Sequence, residues 1–233
     1  MSLQHDFKGR HVVITGGGGA LGSHLVRRLL DSGAICHIPS FDPKETFAKH
    51  ERLQVTREID LTSERAVDGF YSALPSLWAS IHIAGGFAMS PITGTSKADF
   101  DAMMAMNATS CFLCCRAAVA AFRKGGQGGR IVNVAARPAL DPRKGGGMVA
   151  YTASKAAVAA ITGSLSEEVL ADDVLVNAVA PSVLDTPGNR QAMPKSDPKN
   201  WVSLDAATDA ILFLASPANA ATSGSIMPLY AKS

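Results

Sequence analysis

The chain has 233 residues, of which 47% are hydrophobic and 18% charged, and its formal net charge is +2. This length and apolar content predict one large α/β domain over residues 1–233. The balanced charge and the lack of a basic run argue against a nucleic-acid partner. We find no apolar run of signal-peptide or membrane-spanning length, so we expect a cytoplasmic protein without a membrane partner.

The cysteines indicate a reducing compartment rather than a disulfide framework. Three of the four, Cys111, Cys114 and Cys115, fall within one helical stretch. Cys111 and Cys114 form a CxxC pair, but there is no second ligand pair to complete a metal site. We therefore predict no metal and interpret these cysteines as small apolar residues on a buried helix face.

Strand and helix patterns alternate along the whole chain. Strands are predicted at 11–15, 34–38, 53–58, 77–84, 130–136, 174–180 and 225–229, and helices at 20–32, 97–123, 148–170 and 205–215. This alternation predicts a single Rossmann-type, doubly wound parallel sheet of about seven strands with helices on both faces. Ligands bind such sheets beyond the carboxyl ends of the strands, so functional residues are expected there.

A glycine-rich loop, Thr15 to Gly22, joins the first strand to the first helix. Glycines allow the backbone to approach a diphosphate, which then lies at the positive end of the helix. The position of the loop therefore predicts dinucleotide binding. The predicted contacts are Gly16, Gly18, Gly19, Ala20, Leu21 and Gly22.

Tyr151 and Lys155 are the strongest chemical signal in the sequence. Residues four apart lie on one face of a helix, so the lysine ammonium can lie beside the phenol. A free tyrosine has a pKa of about 10, and a neighbouring cation lowers that value. The pair is therefore predicted to move a proton.

Both motifs resemble those of the short-chain dehydrogenase/reductase superfamily. The loop resembles its TGxxxGxG pattern, with Ala20 at the middle glycine, and Tyr151 and Lys155 resemble its YxxxK. The resemblance implies an NAD(P)-dependent enzyme with Tyr151, Lys155 and Asn107 as catalytic residues, Asn107 holding a water of the proton relay. It also implies that the long helices around Asn107 and Tyr151 pair between subunits of a homodimer or homotetramer.

The resemblance extends to the rest of the cofactor site. Asp60 and Leu61 match the dipeptide that touches adenine, and residues 177–187 resemble the NxxxPGxxxT segment beside the nicotinamide. The further cofactor contacts that it implies are Ser40, Asp60, Leu61, Ala84, Gly85, Gly86, Tyr151, Lys155, Pro181, Ser182, Leu184 and Thr186.

The position after the second strand bears on the choice of nicotinamide. NAD-dependent members carry an acidic residue there for the ribose hydroxyls. Ser40 takes that position, with Asp42 two residues later, and the nearest basic residue is Lys44. The glycine loop contains no basic residue, so the sequence favours NADH over NADPH.

Two departures from the superfamily pattern stand out. His82-Ile83-Ala84-Gly85 replaces its NNAG motif, and His82, within a strand, is interpreted as structural. Ala136 stands where the family has a catalytic serine. Loss of such a hydrogen-bond donor typically costs on the order of 100- to 1000-fold in rate.

A subfamily, the quinonoid dihydropteridine reductases, is similar and also carries alanine at that position. The similar segments are 19–23, 84–87, 139–141, 184–201 and 222–225, although Asn107 follows the general family. Residues 184–203 lie where the family has its substrate-covering loop. The resemblance implies reduction of a quinonoid dihydropterin-like acceptor with Tyr151 as the acid. The alternatives are a ketone, quinone or imine substrate, or a catalytically silent dinucleotide-binding sensor.

Overall fold

A parallel sheet of seven strands runs through the described part of the chain, residues 6–232 of the computed structural model. The strands are β1 (His11–Thr15), β2 (Ile35–Pro39), β3 (Leu53–Thr56), β4 (Ala79–His82), β5 (Gly129–Val134), β6 (Val174–Pro181) and β7 (Ile226–Leu229). Their order is β3-β2-β1-β4-β5-β6-β7, and all neighbouring pairs are parallel. This order confirms the predicted fold class. The winding reverses between β1 and β4, where a ligand crevice is expected.

Eight α-helices occur within residues 6–232. They are α1 (Ala20–Asp31), α2 (Glu64–Ser72), α3 (Lys97–Met103), α4 (Ser110–Gly125), α5 (Arg137–Leu140), α6 (Val149–Glu168), α7 (Pro187–Ala192) and α8 (Leu204–Ala215). Helices α1 and α8 bury their apolar residues on one face, and α2, α4 and α6 bury theirs on the other.

The two apolar clusters follow from the alternation of side chains along the central strands. In β1, Val12 and Ile14 belong to the cluster under α1 and α8, whereas Val13 belongs to the cluster under α4. In β5, Val132 belongs to the cluster under α1 and α8, and Ile131 belongs to the cluster under α4. Because successive side chains of a strand point to opposite faces, near-continuous apolar runs fill both layers.

One continuous helix runs from Lys97 to Gly125 through α3, a π-helical turn at Met104–Thr109 and α4. Contrary to the sequence prediction, this segment is long and apolar enough to cross a membrane by length and composition, since its most apolar 18 residues have a mean hydropathy of 1.4. In the fold, 61% of its most apolar stretch is buried.

Helix α2 was absent from the predicted elements. The Ser63 hydroxyl caps its N-terminus by accepting a hydrogen bond from the Ala66 amide. Val67, Phe70 and Tyr71 then bury one face at helical spacing. The helix connects β3 to β4 by the crossover that parallel strands require.

Candidate active site

The loops after β1 and β4 are in backbone contact. Gly16 has a φ of +67°, and a Cβ there would lie 2.8 Å from the Ala84 amide nitrogen. The Thr15 hydroxyl accepts a hydrogen bond from that amide at 3.1 Å. A Cβ on Gly22 would overlap the carbonyl oxygen of Gly16. Glycine is therefore required at positions 16 and 22 by the close approach of backbone to backbone.

The N-terminus of α1 fits a dinucleotide diphosphate. Within the described chain, no side chain caps this helix at Gly19, and its first turn carries no acidic residue. Gly19 and Ala20 are exposed, and a Cβ on Gly19 would meet only the Gly16 carbonyl oxygen, at 3.4 Å. Uncapped amides and the helix dipole form an anion site at this point. Leu21, by contrast, is buried in the core.

Beyond β2, the structure provides an acidic side chain that the sequence prediction missed. Ser40 is buried, and its hydroxyl donates a hydrogen bond to Glu45 Oε2 at 2.7 Å. The other carboxylate oxygen lies over Gly18, where a Cβ would overlap it. Asp42, the candidate from sequence, is exposed and accepts a hydrogen bond from the Lys44 amide. Glu45 thus places its carboxylate against the glycine loop.

The chain around Glu45 is held by Arg57. Its Nη1 atom donates hydrogen bonds to the carbonyl oxygens of Pro43 and Glu45 at 2.9 and 3.0 Å. The Ile59 amide donates to the Ser40 carbonyl oxygen at 3.0 Å, which brings the predicted adenine contacts, Asp60 and Leu61, beside the same pocket. Ser40, Glu45 and the 60–61 dipeptide therefore border one region at the carboxyl ends of β2 and β3.

The Asn107 side chain ties the loop after β4 to helix α6. Its Oδ1 accepts a hydrogen bond from the Gly86 amide at 2.9 Å. Its Nδ2 donates to the Gly86 carbonyl oxygen at 3.1 Å and to Ser154 Oγ at 3.0 Å. Asn107 lies in the π-helical turn, a feature frequent at functional sites. Because both ends of the amide are engaged, its side chain holds the loop in position.

Lys155 is buried at the centre of this arrangement, with 6% of its surface exposed. Its Nζ donates a hydrogen bond to the Val134 carbonyl oxygen at 2.8 Å. A Cβ on Gly85 would lie 3.4 Å from Nζ and would overlap the Asn107 amide. Burial lowers the pKa of Lys155 to about 8, an effect that the Cys111 thiol partly opposes. The ammonium remains the main form at neutral pH.

Tyr151 stands one helical turn before Lys155. Burial raises the pKa of its phenol to about 12, whereas the sequence predicted that the neighbouring lysine would lower it. The neutral phenol, a proton donor, is therefore its form at pH 7. The ring of Phe87 meets the Tyr151 ring edge to face, with centroids 5.0 Å apart. Phe87 was not among the predicted site residues, although it directly follows the predicted contacts Gly85 and Gly86.

Ala136 lies directly beyond the end of β5, where it is buried as the N-cap of α5. The backbone carbonyl of Val134, two residues earlier, accepts the Lys155 hydrogen bond. The position thus lies two residues from the carbonyl that holds Lys155 and carries only a methyl group. A side-chain donor is missing where the family pattern has one.

The end of β6 supplies the last predicted contacts. Pro181 ends the strand, and the Ser182 hydroxyl donates to the Tyr230 carbonyl oxygen at 3.0 Å. Leu184 pairs with Val202 in a parallel bridge, which closes the base of the 184–203 segment. Thr186 caps α7 by accepting a hydrogen bond from the Asn189 amide at 3.1 Å. The predicted substrate-covering loop thus carries a short helix and is anchored at both ends.

Comparison with known proteins agrees with this geometry. Residues 10–197 match the family model described as short chain dehydrogenase. The chain is 28% identical to the sorbitol dehydrogenase of Cereibacter sphaeroides over 185 residues, covering 76% of this chain and 71% of that protein.

Two solved structures are similar in fold. The short chain dehydrogenase of Leptospira borgpetersenii with bound NAD+ has a TM-score of 0.85 at 19% identity, covering 97% of this chain and 93% of that one. ElxO with NADP bound has a TM-score of 0.85 at 20% identity, covering 95% and 97%.

The buried ammonium predicts how turnover depends on pH. If the charged form of Lys155 supports catalysis, kcat/KM for NADH-dependent reduction should fall as the pH rises through about 8, because the folded-state pKa lies there. Above that point the decline should approach about tenfold per pH unit. The measurement is a pH–rate profile, with circular dichroism at each pH to show that the fold persists.

In Lys155→Arg, whose guanidinium keeps its proton, the residual activity should lack this alkaline decline. A wild-type profile that stays flat up to pH 10 would contradict the role given to the ammonium.

Proposed function

The chain belongs to the short-chain dehydrogenase family and is an NAD(P)-dependent oxidoreductase; we propose that it is an NADH-dependent reductase of a quinonoid dihydropterin-like acceptor. One observation carries this proposal. The site pairs a buried, protonated Tyr151 with the ammonium of Lys155, while Ala136 offers no side-chain donor. This combination favours reduction of an acceptor that is already activated.

The reductive direction follows from the state of Tyr151. The dinucleotide supplies the hydride when bound, and Tyr151 supplies the proton from its neutral phenol. Lys155 holds its positive charge nearby and stabilises the phenolate that proton donation leaves behind. Asn107 keeps the 85–87 segment against both residues through Gly86 and Ser154. Alcohol oxidation would instead require phenolate from the start, which the raised pKa opposes.

The missing donor at Ala136 bears on the kind of acceptor. A ketone needs hydrogen-bond donors on its oxygen as negative charge develops there. A quinonoid dihydropterin accepts hydride readily and regains a conjugated ring, so it needs less polarisation. Loss of the serine is therefore less harmful for such a substrate than for a simple ketone.

The surface beside Tyr151 supports a flat acceptor. Phe87 is 61% exposed although its ring contacts Tyr151, and Met89 is 65% exposed. The adjacent Ser90 amide donates to the Gly147 carbonyl oxygen at 2.8 Å, which fixes this loop against the segment before α6. Exposed apolar side chains next to a reacting group are typical of a ligand surface. A planar bicyclic ring can pack against them.

The Glu45 carboxylate supports the preference for NADH. Carboxylates after the second strand accept hydrogen bonds from the ribose hydroxyls and repel the 2′-phosphate of NADPH. In this chain the group comes from the following loop, and Ser40 orients it by donating to Oε2. Its other oxygen faces the glycine loop at Gly18.

The substrate assignment is tested with Tyr151→Phe. We expect this variant to lose at least about 100-fold in kcat for NADH-dependent reduction of quinonoid dihydrobiopterin, because the proton donor is gone. Binding of NADH, followed by fluorescence, should change little. Ala136→Ser serves as the matched variant: it should leave pterin reduction within about threefold and raise reduction of simple ketones.

Pterin reduction that survives in Tyr151→Phe would refute the role of Tyr151. Turnover of ketones, quinones or imines without turnover of pterins would reassign the substrate within the family. NADH binding without oxidation by any of these acceptors would favour the silent sensor.

The cofactor assignment is tested with Glu45→Gln and the matched control Asp42→Asn. Removing the Glu45 charge should lower the preference for NADH over NADPH, measured as the ratio of kcat/KM values, by at least about tenfold. Asp42→Asn should leave the ratio unchanged, because its carboxylate accepts a local hydrogen bond from the Lys44 amide. Equal effects of the two variants would show that Glu45 has no specific part in cofactor selection.

Exposed apolar side chains on the long helix support a homo-oligomer. Phe100, Met106 and Phe112 on Lys97–Gly125 are 40, 43 and 51% exposed, and Val149 at the start of α6 is 47% exposed. We infer that a second copy covers this surface. In size-exclusion chromatography with light scattering, Phe112→Asp should shift the protein to monomer, while Ile92→Asp, off this helix, should not. A wild-type monomer at micromolar concentration would refute the inference.

A further inference from the structure

Three side chains of metal-ligating types form a buried cluster between β4 and α4. His82 projects from β4, and Cys111 and Cys115 project from α4. One nitrogen or sulfur atom from each lies within 4.8 Å of the other two, and all three residues are buried. The sequence offered Cys111 and Cys114 as a CxxC pair, but the fold turns Cys111 and Cys115, four residues apart, toward the histidine.

We propose that His82, Cys111 and Cys115 bind a single divalent cation of the zinc class, with Asn133 Oδ1 as the fourth ligand. Two ligands four residues apart on one helix face form a common half of a zinc site. Two thiolates, one imidazole and one oxygen suit a borderline-soft ion in tetrahedral geometry. The ion would join α4 to the adjacent strands β4 and β5.

The distances support this geometry. With Zn–S of about 2.3 Å and Zn–N of about 2.0 Å, a tetrahedron has S···N edges of about 3.5 Å. Cys115 Sγ lies 3.6 Å from His82 Nδ1 and 3.6 Å from Asn133 Oδ1. The edge between His82 Nδ1 and Asn133 Oδ1 is 2.8 Å, the length of a hydrogen bond. The Asn133 amide would have to retreat by about 0.5 Å to complete the tetrahedron.

The groups behind the ligands are arranged as in a metal site. His82 Nε2 lies 2.8 Å from Ser80 Oγ, which lies 2.7 Å from the Tyr71 hydroxyl. The Ser80 hydroxyl can accept a hydrogen bond from a protonated Nε2, which leaves Nδ1 free to bind the metal. The Asn133 Nδ2 donates to Thr162 Oγ1 at 2.9 Å, so its oxygen faces the cluster. Hydrogen bonds of this kind orient ligands and fix the histidine tautomer.

The proton balance is simple. Binding of M²⁺ releases one proton from each thiol, so two protons leave and the site of two thiolates and one dication is neutral. His82 keeps one proton, which moves from Nδ1 to Nε2. A neutral site is compatible with the buried surroundings and with the nearby Lys155 ammonium.

The test compares three proteins expressed in zinc-supplemented medium and purified under reducing conditions. They are the wild type, the double variant Cys111→Ser/Cys115→Ser, and Cys114→Ser. Cys114 is the matched control because it lies on the same turn of α4, is buried, and is not part of the cluster. Zinc per chain is measured by mass spectrometry of the metal.

We expect about one zinc ion per chain in the wild type and in Cys114→Ser, and at least a tenfold loss in the double variant. A cobalt-substituted wild type should show a thiolate-to-metal charge-transfer band, which keeps the test valid if the double variant does not fold. Wild-type protein with neither zinc nor the cobalt band would overturn the proposal. An equal loss of zinc in Cys114→Ser would also overturn it.

Discussion

The approach of the β1 loop to the β4 loop is the constraint on which the site depends. Gly16 and Ala84 meet with no room for a side chain between them, and Thr15 joins the two loops by a hydrogen bond. This contact is possible only because β1 and β4 are neighbours in the sheet, at the point where the winding reverses. It brings the predicted diphosphate-binding loop next to the loop that Asn107 holds against Lys155. The residues predicted to bind the cofactor and those predicted to transfer the proton are therefore joined by one contact between backbone loops.

Much of the fold could be predicted because parallel strands buried on both faces leave a plain signal in the sequence. The central strands β1 and β6, for example, are buried apolar runs that end before Gly16 and at Pro181. Helix α2 was missed because it is short and its exposed face is charged, so only Val67, Phe70 and Tyr71 mark its buried side. Some predicted strands ran long, as at 77–84, where the observed strand β4 is Ala79–His82.

The site residues that lie close together in sequence could be predicted. Those that the fold brings together from separate segments could not. Tyr151 and Lys155 are four apart on one helix, and the glycine loop is contiguous. Glu45 could not be found by counting from the strand end, because its carboxylate reaches the glycine loop only after residues 41–45 turn back. The cysteines illustrate the same limit. A CxxC pattern drew attention to Cys114, whereas the partner that faces Cys111 across the helix turn is Cys115.

The π-helical turn at Met104–Thr109 has a consequence for how this chain can change over evolutionary time. A π turn holds one more residue than the α-helical turn it replaces, so it shifts by about 100° the direction in which all later side chains of the helix point. Removing a single residue there would straighten the helix and turn α4 away from β4 and β5, while Asn107 would leave Gly86. The π turn thus sets the direction of the side chains that follow it. Residues of the helix can be substituted, but the number of residues between Ser96 and the cysteines that face His82, Cys111 and Cys115, is fixed by this geometry.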